Sequence, residues 1–213
     1  MLPFSAETLL SILEHYNRGI WPLQLVGLLL ALAAAGLAFS GWRAAARAVA
    51  VLLAAMWIWV GVAFLGGALA PYHFAAPALA GVFVAQGVML LFTLGLLGWH
   101  QLAWQRDATG WLALVVIAWA VAGQPALEAL ATGAGAAGLQ YAGSAPTPTM
   151  LLTLGLLLLA RPRPPLVLAL IPALWALATA YLAWELALPM QYIPAALGIA
   201  TFAVLLALRF RRE

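Results

Sequence analysis

All nine cationic residues of the chain are arginine, and eight of them stand at four places separated by long uncharged apolar stretches. Arg43 and Arg47 follow the first such stretch, Arg106 the third, Arg161 and Arg163 the fifth, and Arg209, Arg211 and Arg212 the seventh. The other connections carry Glu7, Glu14, Glu128 and Glu185, with Arg18 the one basic residue among them. Basic loops stay on the cytoplasmic side of a membrane, so this alternation describes a topology with the N-terminus outside and the C-terminus inside.

Composition agrees with a membrane chain. Hydrophobic residues make up 67% of the sequence, charged residues 7%, and the mean hydropathy is +1.06. Such a chain cannot cover an aqueous surface with polar groups and must take lipid as its solvent. A spanning helix needs roughly 20 apolar residues. The 213 residues therefore hold about seven helices with short loops, which predicts an all-α integral membrane protein, a seven-transmembrane helix bundle forming a single membrane domain over residues 1–213. The pI of about 9.8 reflects loop-end arginines, which anionic head groups explain, so the bilayer is the expected partner and nucleic acid is not. With no cysteine, disulfides, thiolate metal sites and thiol catalysis are excluded. The first helical segment holds Glu7, Glu14 and His15 and lacks a basic leader, so it is expected to be retained and not cleaved as a signal peptide.

Along the chain, Ser5 is placed to cap a short interfacial helix over 5–16, with Leu9, Leu10, Ile12, Leu13 and Tyr16 on its apolar side. Spans are expected at about 21–39, 45–69, 76–97, 111–131, 147–160, 166–184 and 193–208, with Pro22 at a first-turn position and a bend at Pro172. Trp99, Trp104 and Trp111 read as interfacial anchors. The fifth span is short. Its cleanly apolar part, Pro148 to Ala160, covers roughly 20 Å, less than a hydrocarbon core of about 30 Å. The missing length falls on Leu139 to Thr147, whose Gly-Ser-Ala-Pro-Thr-Pro run cannot form a regular helix. That segment is expected to dip into the protein in extended form, making the span partly re-entrant, and such backbone survives only where protein or a water-filled cavity satisfies it.

Some motifs fail on context. Gly133, Gly135 and Gly138 spell the dinucleotide fingerprint, but they follow a membrane helix where that motif needs a strand. Seven spans invite comparison with rhodopsins, yet a retinal Schiff base needs a lysine. The better signal is the one-sided gathering of polar residues: His15, Asn17, Gln24, Tyr72, His73, Gln124, Glu128, Tyr141, Thr147, Thr149, Glu185, Gln191 and Tyr192 all fall in the outer half or just above it. Polar groups inside spans are costly and face the bundle interior. Gln24, Gln86, Gln124, Glu128, Thr147 and Thr149 are therefore the candidate solute- or ligand-pocket residues, and His73, with Tyr72 and His15, is the candidate proton or gate site. The plain alternative for each is a hydrogen bond between helices. For Thr147 and Thr149 it is capping of a helix whose positive end otherwise faces the outer cavity. No spacing suits a metal, no cofactor is implied, and no nucleophile has an adjacent base, so an enzyme is disfavoured. Gly61 and Gly81 suit close helix contacts within the chain or in a homo-oligomer.

The runs Tyr16-Asn17, Ile20-Trp21-Pro22 with Gln24, Tyr72-His73, and Pro146-Thr147-Pro148-Thr149 followed by Thr153 and Gly155 resemble an uncharacterised family of bacterial multi-pass membrane proteins, a domain of unknown function, over nearly the whole chain. A cysteine often sits between the two prolines in that family's pattern, where this chain has Thr147, so the resemblance carries no thiol or soft-metal role. It implies a bacterial inner (cytoplasmic) membrane and no chemistry. The leading functional expectation is a small-solute channel or carrier with an outward-facing polar vestibule. The alternative is a non-transporting membrane partner or sensor that holds a lipid or quinone in the outer cavity.

Overall fold

The computed structural model describes residues 5–97, 100–133 and 135–210. The expected roles of Trp99 as an anchor and of Arg211 and Arg212 in the last basic cluster lie outside the described residues.

Helix α1, Ala6–Gly19, starts where Ser5 accepts the Thr8 N–H at 3.3 Å and runs about a turn beyond the expected end at Tyr16. It meets α2, Leu23–Phe39, at 89°, so α1 lies across the end of the bundle. The remaining helices are α3 (Ala45–Leu69), α4 (Ala76–Leu96), α5 (Ala108–Thr132), α6 (Pro146–Leu159), α7 (Val167–Glu185) and α8 (Tyr192–Phe210). Pro172 is accommodated inside α7, which continues on both sides of it.

Side-chain placement on α2 shows what solvent this surface is built for. Ala31, Ala34 and Ala38 face the bundle and are at most 1% exposed, while Leu25, Val26, Leu29 and Leu32 point outwards at 38–63%. Small residues inside and large apolar residues outside let backbones approach closely while lipid covers the periphery. Among the described residues, five helices are long and apolar enough to cross a membrane, α3, α4, α5, α7 and α8 with its preceding turn; the bent α1–α2 pair makes a sixth. The expected fifth span is the exception. Helix α6 has 14 residues, about 21 Å of rise, and every one of them is buried. It is a core helix packed against α2, α3, α5, α7 and α8. Lipid tails are as apolar as leucine, so burying α6 gains little by transfer; close packing and hydrogen bonds hold it.

Arg106, Arg161, Arg163 and the α8 terminus come together at one end. Strands β1, Gln101–Leu102, and β2, Ala160–Arg161, pair antiparallel, joining the α4–α5 connection to the exit of α6. Arg161 donates to the Leu158 and Ala160 carbonyls at 2.9 and 3.0 Å, capping α6, and Arg163 donates to the Leu208 carbonyl at the end of α8. Arg106 lies over the Trp104 ring, which also meets Phe39 at the end of α2. Arg161 and Arg163 thus bind carbonyls at helix ends, where the negative dipole end favours a cation.

Candidate ligand cavity and buried polar network

At the opposite end, the connection between α5 and α6 folds inwards. A short 3₁₀ turn, Ala136–Gly138, leads into residues 139–145, which are largely buried and non-helical. Backbone groups there have no water to bond, so side chains must satisfy them. The Glu128 carboxylate accepts the Gln140 N–H at 2.9 Å and the Gln124 amide at 2.8 Å. Trp119 in turn donates to Gln124 at 3.3 Å, a five-residue separation brought onto one face by the π-helical turn Trp119–Gly123. Asn17 donates to the Gly138 carbonyl and Gln24 to that of Ala136, both at 3.1 Å. Tyr16 donates to the Ser144 carbonyl at 3.1 Å. The Thr149 hydroxyl accepts the Gly143 N–H at 2.8 Å and donates to the Ala145 carbonyl at 2.6 Å. Tyr141 donates to Ala136 at 3.2 Å; burial first, and the Glu128 charge second, push its phenol above the usual tyrosine range, which keeps that donor protonated.

Beside this network lies a cavity of about 420 Å³, within the size range of small-ligand sites. Leu9, Leu10 and Leu13 of α1 roof it; Leu79, Val82 and Phe83 of α4 form one wall; Ile171, Leu174, Trp175, Ala178 and Leu182 of α7 form the other. Towards the arginine end, α4 and α7 are clamped by Gln86, which donates to the Leu168 carbonyl at 2.8 Å, and by the edge contact of Phe83 with Trp175. Further up the wall residues Val82, Leu174 and Tyr181 are 42–54% exposed on the lipid-facing side. Among the described residues no arginine, aspartate or glutamate lines the cavity; its polar groups are His73, Gln140, Thr147, Thr179, Tyr181 and Gln191, with the Trp175 indole N–H turned to Thr147 at 3.3 Å.

The residues picked out from the sequence divide accordingly. Thr147 and His73 line the cavity. His73 accepts the Ala75 N–H at 3.2 Å and stacks on Phe74. Gln24, Gln124, Glu128 and Thr149 instead hold the inward-folded connection, and Gln86 ties α4 to α7. Tyr72 and His15 line a separate surface groove with Glu7 and Ser11. Gly61 sits against α4, where a Cβ would stand 2.9 Å from the Ala80 carbonyl oxygen, whereas Gly81 has nothing within 4 Å. Trp175, one of the in-span tryptophans able to wall a pocket, and Gln191, one of the outer-half polar residues, both line the cavity, whereas Gln140 is not among the residues expected there. Gln140 had a signal: it is a polar residue at the start of the segment expected to dip inwards. The leucines and isoleucines of the cavity had none, because wall and lipid-facing residues are of the same kinds.

A family described as of unknown function, DUF6064, matches residues 6–213, so the chain belongs to that family. No curated protein and no solved structure matches it.

Proposed function

We propose that the protein is a membrane-embedded binding protein for a lipid-like molecule, a lipid or quinone, whose chain lies in the cavity between α1, α4 and α7. The observation that carries this reading is the cavity's apolar lining under an apolar roof. The cavity is partly open, with Val82, Leu174 and Tyr181 exposed along its wall, so a hydrocarbon chain can enter it from the bilayer. Water does not fill apolar space well; a hydrocarbon chain does.

A first test is native mass spectrometry of protein extracted in mild detergent. The expected result is a retained lipid-like adduct that disappears in Ala178→Trp, which fills the cavity. Equal adducts in both, or none in the wild type, would remove the reading.

The channel or carrier reading has support from the non-helical segment 139–145, a device transporters use at binding sites. Against it, the hydrogen bonds of Gln24, Gln124, Glu128 and Thr149 are directed to the chain itself. Proteoliposomes showing no permeability to a panel of small ions, acids and amines would eliminate it.

A further inference from the structure

The cavity wall contains two glutamines whose side chains the fold leaves without work. Gln140 is 8% exposed and gives its backbone N–H to Glu128, but its side-chain amide has no hydrogen-bond partner among the described residues. The Gln191 side-chain oxygen is buried and likewise unpartnered among them. Both residues line the cavity, as does Thr147, whose hydroxyl accepts from Trp175 and keeps its own hydrogen to donate. The buried Gln191 oxygen, which the protein does not satisfy, and the Gln140 amide lining the same cavity leave hydrogen-bonding capacity open to an external partner.

Charge narrows the partner. A phosphate or carboxylate brought into this site would lose its hydration with no arginine or lysine among the described lining residues to replace it, His73 being the one imidazole there. The nearby Glu128, whose carboxylate accepts the Gln140 backbone N–H, brings no positive charge to offset that loss. An uncharged head avoids that penalty, and a hydroxyl both donates to an amide oxygen and accepts from an amide N–H.

Resting on the lipid-binding reading, we infer that the site selects lipids with an uncharged, hydroxyl-bearing head over those with a phosphate or carboxylate head, Gln140 and Gln191 reading the head and the α4–α7 walls taking the chain. The orientation follows: the chain lies between Leu79, Val82 and Leu174, and the head turns inwards under α1, towards the buried connection.

Three probes with the same oleoyl chain separate the terms: monoolein, oleate and oleoyl lysophosphatidylglycerol, competed against one another on the detergent-solubilised protein at about pH 8, where a fatty carboxylate is ionised. Monoolein should bind at least about tenfold more tightly than either anion, a difference of about 1.4 kcal/mol. In the double variant Gln140→Leu with Gln191→Leu the three should bind within a few-fold of one another. Oleate or the lysophospholipid binding as well as monoolein overturns the head-group selection and leaves the binding reading standing. A preference for monoolein that survives the double variant overturns the assignment of the two glutamines. Failure of all three to bind removes the binding reading itself, and this inference with it.

Discussion

Gly27 and Gly143 meet backbone against backbone: a Cβ on Gly143 would stand 2.8 Å from the Gly27 Cα, and a Cβ on Gly27 would stand 3.1 Å from the Ala142 carbonyl oxygen. Gly143 also has φ of +87°, a conformation L-residues rarely adopt. This contact lets the connection between α5 and α6 pass through the bundle beside α2, which in turn sets where α6 begins. Gly143→Ala therefore combines a strained backbone with a clash against backbone. We expect a loss of about 1–3 kcal/mol, read as a lower unfolding midpoint in detergent, whereas Gly36→Ala, with open space around it, should leave the midpoint nearly unchanged.

Glu128 holds two donors at once, one on α5 and one on the buried connection. Glu128→Ala strands the Gln140 N–H and the Gln124 amide, and orphaned buried donors cost about 1–3 kcal/mol each. Glu128→Gln keeps one acceptor oxygen and should lie between wild type and alanine. Thermal unfolding of the three proteins checks the order; an alanine variant as stable as wild type would show that the carboxylate is not what anchors the segment.

Thr149 accepts from Gly143 and donates to Ala145 within the same turn. Valine has nearly the same shape and neither function. Thr149→Val should increase amide hydrogen exchange at residues 143–145 tenfold or more while leaving α7 and α8 unaffected, the tenfold corresponding to about 1.4 kcal/mol of local opening.

Tyr141 ties stability to alkaline pH. Its phenol is raised above 10.0, chiefly by burial and secondarily by Glu128, so the folded state holds that proton more tightly than the unfolded chain. The contribution is complete below pH 10 and falls as pH rises past 10 towards the folded value. Tyr141→Phe should have a flatter decline in unfolding midpoint above pH 10 than wild type.

The arginine pattern predicts which end faces the cytoplasm, and the absence of native cysteine makes it directly measurable. Glu185→Cys, on the exposed end of α7, should react with a membrane-impermeant maleimide on intact cells. Ser40→Cys, on the α2–α3 connection, should react only after permeabilisation. The reverse labelling would invert the topology.

Periodic apolar stretches and loop-end arginines were enough to determine a helical membrane protein with its basic residues at one end, because lipid solvation and backbone satisfaction act on composition and spacing alone. The irregular stretch before α6 was legible for the same reason: Pro146, Pro148 and Gly143 exclude a regular helix at that place. Tertiary structure decided the rest. Gln24, Gln124, Glu128 and Thr149 looked like the lining of a vestibule, but a polar side chain in a span declares only that it needs a partner; the folded chain supplies that partner as the carbonyls, N–H groups and side chains in and around residues 136–145. Whether α6 is a span or a core helix likewise depended on which helices surround it. The cavity between α4 and α7 was invisible in sequence, since leucine facing lipid and leucine facing a ligand are the same residue, and only the packing of α1, α4 and α7 around a common space tells them apart.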